Sequence, residues 1–138
     1  GGYMHTTDDR TPVTFITRYY LDKIKRLCDA HGTKLLFVTA PSPVNHTMQR
    51  HNEVQALADA LAVPYLDLNL NTEELGIDWN LDTLDGGDHL NYTGCQKATA
   101  YLQWYMQTHY TLPDRRDDVR YEAWNKQAEE FEKLLPQP

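Results

Sequence analysis

The stretch Asp85-Gly86-Gly87-Asp88-His89-Leu90-Asn91-Tyr92-Thr93-Gly94-Cys95 sets one histidine among two carboxylates in a glycine-rich loop. A carboxylate beside an imidazole fixes its tautomer and stabilises the imidazolium, as a general base in acyl transfer requires. His89, Asp85 and Asp88 are therefore the candidate catalytic residues. The competing structural reading is a loop histidine whose neighbouring carboxylates stabilise a helix N-terminus. A base also needs a nucleophile facing it. The chain has a single serine, Ser42, flanked by prolines in Ala40-Pro41-Ser42-Pro43, and it reads as a loop residue.

Other chemistry-bearing residues are less pointed. His46 and His51 are five apart around a predicted helix start and do not share a helical face, so both are expected on the solvated surface. The carboxylates of residues 73–88 lack the spacing of an EF-hand and read as a solvated acidic loop, so no metal and no cofactor is expected. Trp79, Tyr101, Trp104 and Tyr105 could stack on sugar rings. Core packing explains the three helical ones better, which leaves Trp79 as a substrate-binding candidate. Asn91 is a second, although a role as helix cap suffices to explain it. Cys28 and Cys95 form no metal or disulfide pattern. Both fall on predicted helices and are expected to be buried free thiols.

The elements that must position these residues alternate between helix and strand. Thr11-Pro12 reads as an N-cap and first helical position, opening a helix to His31 with Gly32 as its stop. Its β-branched first turn (Val13, Thr14, Ile16, Thr17) weakens that start. The continuous apolar run at 34–40 predicts a strand covered on both faces. Thr47 caps a helix over 48–61, and 63–68 predicts a second strand. Strand, helix and strand in this span make a βαβ unit, with parallel strands and a right-handed crossover. Residues 69–88 are irregular and acidic, and a loop of that length inside a compact domain is usually functional or disordered. A third helix spans about 91–109, with Cys95, Ala98, Leu102, Tyr105 and Met106 as its buried stripe. After a polar break at 113–118, a last helix to about 135 carries Tyr121, Trp124, Ala128, Phe131 and Leu135 along one face. That stripe is expected to pack on its own domain; a coiled-coil seam is the alternative.

The chain has 138 residues, enough for one domain with a modest core. Its net charge of −7 argues against nucleic acid or an anionic membrane surface as partner. No apolar run approaches the roughly 18 residues of a membrane span, and the start lacks a signal peptide. Gly1-Gly2 is expected to be a tag remnant or a cut point. The organisation expected is an N-terminal extension at 1–10, an α/β domain at 11–112 and a C-terminal amphipathic helix at 113–138.

The order of strand, proline-containing loop, helix, "VPYLDLN", acidic loop and "GGDHLNYTGCQKATAYL" resembles the C-terminal half of the SGNH (GDSL-like) hydrolase superfamily. Bacterial cell-envelope members carrying a "GDHLN…G…K…T.YL" block are the most similar, and the tail "YTLPDRRDDVRYEAWN" resembles the same branch. The resemblance covers roughly residues 20–125. It implies part of a three-layer, flavodoxin-like α/β fold with parallel strands at about 34–40 and 63–68 and flanking helices. It also implies a Ser-His-Asp triad acting on esters, often O-acetyl groups of carbohydrate, at an extracytoplasmic location. His89 matches the family's histidine. The family's aspartate lies three residues earlier, where this chain has Gly86. Asp85 is preferred as the acid because an adjacent side chain such as Asp88 points poorly at its neighbour's Nδ1. The family's Gly-Asp-Ser turn and its oxyanion glycine and asparagine have no match here. The chain is therefore expected to be the His/Asp-bearing C-terminal piece of a longer esterase or O-acyltransferase, inactive by itself. A non-catalytic binding or assembly module on the same fold is the alternative. The expected partners are a carbohydrate or other ester and, because a two-stranded sheet leaves its edges open, a second copy of the chain through a sheet edge or the C-terminal helix.

Overall fold

A computed structural model describes residues 3–135; Gly1-Gly2 and residues 136–138 lie outside the described part. The protein is mixed α/β, with 52% helix and two small two-stranded sheets. It divides into two compact units at Leu102.

The first unit is built on the βαβ segment. Strand β1 (Phe37–Thr39) and strand β2 (Tyr65–Asp67) pair in parallel, with Phe37 opposite Tyr65, Val38 opposite Leu66 and Thr39 opposite Asp67. Between them runs helix α2 (Met48–Leu61), capped by the Thr47 side chain, which accepts from the Arg50 amide. Leu57 and Ala58 of α2 meet Val63, Leu66 and Leu68 in a core that Leu75 and Ala98 complete. Both strands are shorter than the apolar runs suggested. Only three residues of each find a ladder partner, and Val38 stays exposed instead of being covered on both faces.

Helix α1 (Phe15–Ala30) starts three residues later than expected. Its cap is Thr14, whose hydroxyl accepts from the Thr17 amide, and not Thr11. The β-branched residues before Phe15 favour extended backbone, and Thr14 provides the first side-chain oxygen at cap geometry. No residue of α1 is buried: Phe15 is 81% exposed, and Ile16, Tyr20, Ile24 and Leu27 are open as well. Cys28 is only half-buried and Cys95 is exposed, so neither is the buried thiol expected.

The acidic loop carries more structure than its composition suggests. A 3₁₀ turn (Leu68–Leu70) leads into the short helix α3 (Thr72–Leu75), and then strand β3 (Thr83–Leu84) pairs antiparallel with strand β4 (His89–Leu90). Helix α4 (Tyr92–His109) follows. Gly94 and Ala98 are its buried residues, while Leu102, Tyr105 and Met106 are half-buried and Cys95 faces outward. The stripe shifted because the closest contact of α4 is with backbone, which only small residues permit.

In the second unit a polar segment leads to a 3₁₀ turn (Val119–Tyr121) and helix α5 (Glu122–Glu132), shorter than the helix to 135 that its pattern predicted. Trp124 is 71% exposed and Phe131 is open, so the stripe is not packed as expected.

Candidate functional site

The β3–β4 connection and the start of β4 hold Asp85, Asp88 and His89. The Gly87 amide donates to the Leu84 carbonyl at 2.9 Å, and both residues between them have positive φ, Asp85 at 55° and Gly86 at 66°. This is the signature of a type I′ hairpin turn, which Asp-Gly favours because both central residues must be left-handed. The turn places Asp85 and His89 four apart across its mouth. His89 Nδ1 lies 2.9 Å from Asp85 Oδ2 and 3.4 Å from Asp88 Oδ2. With Nδ1 held by a carboxylate, Nε2 is left as the outward proton acceptor. The pair is open: the His89 side chain is 68% exposed and that of Asp85 63%. Asp88 is half-buried, and its Oδ1 accepts from Asn45 Nδ2. The three ligand atoms of Asp85, Asp88 and His89 lie within 4.8 Å of one another, close enough to share one divalent cation.

The turn leans on the loop that leaves the C-terminal end of β1. Asn45 belongs to that loop, and a Cβ on Gly87 would come within 3.1 Å of the Pro43 ring. Ser42 is in the same loop. Its Oγ accepts from the Asn45 amide at 3.1 Å and its amide donates to Asn69 Oδ1 at 2.8 Å, so its polar groups serve the turn.

Behind the hairpin, Asp82 fastens the loop to α4, and it is buried rather than solvated. Lys97 Nζ donates to its Oδ2 at 2.5 Å, the Asp78 amide at 2.8 Å, and Thr93 Oγ1 donates to its Oδ1 at 2.9 Å. The Lys97 ammonium leads these donors in holding the Asp82 carboxyl down at about 2. The same Lys97 Nζ donates to the Gly76 carbonyl, so one side chain of α4 ties together two points of the loop six residues apart. Asn91 acts as the N-cap of α4: its Oδ1 accepts from the Gly94 amide at 3.1 Å while its Nδ2 donates to the Leu81 carbonyl. Trp79 is half-buried, edge-on to the Tyr3 ring with centroids 5.6 Å apart. A Cβ at position 94 would run into the Asp82 carbonyl and stand 3.1 Å from Leu90 Cδ2. Gly94→Ala is therefore expected to cost about 2–3 kcal/mol of stability, measured by urea unfolding. A loss under about 0.5 kcal/mol would show that α4 can step back from the hairpin.

A second histidine–carboxylate cluster had no counterpart among the expectations. His46 and His51 are not on the solvated surface. His46 Nε2 lies 2.9 Å and His51 Nδ1 2.7 Å from Asp67 Oδ2, which is buried. His46 precedes the cap of α2 and His51 follows it, so their spacing off any single helical face is what lets them converge. Tyr65 Oη donates to the same oxygen at 3.1 Å, and Asn69 donates to Oδ1 through its amide and its Nδ2. Burial alone would push the Asp67 carboxyl up. The hydrogen bonds, His46 first and then Asn69 and His51, outweigh it and hold the carboxyl well below the usual range. Burial pushes the Tyr65 hydroxyl up, with the Asp67 charge adding to it. The only sequence cue was a lone aspartate ending an apolar strand, a residue type rarely buried unless paired.

Among the described residues, no helix is long and apolar enough to cross a membrane. Comparison with known proteins finds no matching family model, no matching curated protein and no matching solved structure.

Proposed function

We propose that this chain supplies the His/Asp half of a serine esterase or O-acyltransferase of the SGNH type, acting on ester groups of cell-envelope carbohydrate. In this reading its strands belong to a larger flavodoxin-like sheet in an extracytoplasmic bacterial protein. The observation that supports it is the 2.9 Å contact of Asp85 with His89 Nδ1 on a turn beside the loop leaving β1. Open α/β sheets place their ligands beyond the carboxyl ends of their strands. His89 Nε2 takes the proton of an attacking hydroxyl, and Asp85, with Asp88 behind it, holds the ring and stabilises the imidazolium. The nucleophile is a hydroxyl from polypeptide outside these 138 residues, since Ser42 is held in its own turn. Hydrolysis of a chromogenic acetyl ester by the full-length protein, compared with its His89→Ala variant, tests the assignment.

A second reading, a binding or assembly module without chemistry, is favoured by the exposure of the Asp85–His89 pair, because water competes for both groups. Full-length protein without activity on any acetyl ester would favour it.

By itself the chain leaves apolar surface open on α1, and among the described residues β1 and β2 pair only with each other. Exposed patches of this kind mark association sites. The chain is expected to sediment as a dimer or larger at tens of micromolar. A single species at 16.0 kDa would refute self-association.

A further inference from the structure

The N-terminal ends of α1 and α2 border an open cavity of about 440 Å³ in the first unit, lined among others by Thr14, Thr17, Thr39, His46 and Arg50. We propose that it binds a small hydroxylated oxyanion, a sugar-sized carboxylate or phosphate ester. The proposal stands whether or not His89 is catalytic. The volume suits a six-carbon ligand.

The floor of the cavity offers acceptors. His46 is 7% exposed and its Nε2 is committed to Asp67. An imidazole that donates from Nε2 presents a lone pair at Nδ1, and since no buried side-chain nitrogen among the described residues lacks a partner, this Nδ1 is an accessible one at the cavity surface. Thr39 Oγ1 is 2.9 Å from Tyr65 Oη. Because the tyrosine proton goes to Asp67, the threonine donates to the tyrosine, and the Thr39 lone pairs are left for a ligand. Two such acceptors suit ligand hydroxyls.

The rim offers donors and positive charge. Thr14 caps the sixteen-residue α1, and the first-turn amides of Phe15 and Ile16 make no hydrogen bond among the described residues, as helix starts leave them. Arg50 is exposed and spends one guanidinium nitrogen on the Asn45 carbonyl, leaving the others for an oxyanion. Two buried carboxylates stand near the cavity. Glu53 is paired with Arg18 at 2.8 Å and accepts from the Val13 amide. Asp67, behind His46, accepts from His46, His51, Tyr65 and Asn69, so both charges are met by donors of the chain. A helix start and an arginine at one end, with an imidazole nitrogen and a threonine oxygen at the other, are complementary to an anion that carries hydroxyls.

The test is calorimetric and NMR titration of the chain with gluconate, glucose 6-phosphate, glucose and acetate. Gluconate or glucose 6-phosphate is expected to saturate, moving the Phe15 and Ile16 amide signals, and whichever binds tighter identifies the anionic group. Glucose and acetate, each lacking one half of the complement, are expected to bind at least tenfold more weakly. Arg50→Gln, an exposed change outside the core, is expected to weaken the anion at least tenfold, and Thr39→Val at least threefold. The proposal is overturned if neither anion saturates by 10 mM, if glucose or acetate binds as tightly as the hydroxylated anions, or if Arg50→Gln binds them like the parent chain.

Discussion

On the proposed esterase role, replacing His89 by alanine is expected to lower acetyl-ester turnover by the full-length protein about 10⁶-fold, with little change in stability. The size follows from what the imidazole does in an acyl-enzyme cycle: without it neither the attacking hydroxyl nor the leaving group exchanges its proton, and only binding and oxyanion contacts remain. The small stability effect follows from exposure, because a ring that is 68% open to solvent buries little area. The two acids divide unequally. Asp85 is the nearer, so Asp85→Asn is expected to reduce turnover more than Asp88→Asn. Both losses should fall well short of the 10⁴ reported for buried triads, because solvent already screens this pair. Equal turnover by His89→Ala and the parent protein would remove the histidine from the chemistry.

The parts legible in the sequence were those whose determinants are local. Thr47, with the apolar spacing after it, predicts a helix over 48–61, and α2 is found at Met48–Leu61. Residues 69–88 read as irregular loop, and the left-handed pair at Asp85-Gly86 inside it was not foreseen, although Asp-Gly favours that turn. The apolar runs at 34–40 and 63–68 predict parallel strands, and β1 and β2 pair that way over three residues each. What was not legible depends on residues far apart in the chain. Asp82 reads as one acid among many until Lys97, fifteen residues on, arrives from α4. Asp67 reads as a strand end until residues 16 and 21 positions earlier turn inward. Helical spacing assigned Cys95 to the inner face of α4, but Gly94 takes that place because the Asp82 carbonyl presses on the helix there. Periodicity reports which face is apolar. It does not report how closely a backbone approaches.

The buried carboxylate at the end of β2 carries the largest stability effect in the first unit. Asp67 accepts from His46, His51, Tyr65 and twice from Asn69, and among the described residues those two histidine nitrogens have no other acceptor. Asp67→Ala strands these donors in a buried place. Breaking one side of a buried charged cluster costs about 3–5 kcal/mol, on the order of 10–15 °C in Tm for a chain of this size. Asp67→Asn keeps the volume but sets an amide N–H against other N–H groups, and it is expected to recover less than half of that loss. The pH dependence has a definite sign. The folded carboxyl titrates below its ordinary value of 3.8, so the unfolded chain binds the proton first as acid is added. The stabilisation is complete above that value and drains away as the pH falls from about 4 toward the folded value. Urea midpoints measured from pH 7 to pH 2.5 should therefore drop more steeply below pH 4 for the parent chain than for Asp67→Ala. Parallel midpoint curves, or an alanine variant within about 1 kcal/mol of the parent, would show that the histidines and Asn69 find other partners when the carboxylate is gone.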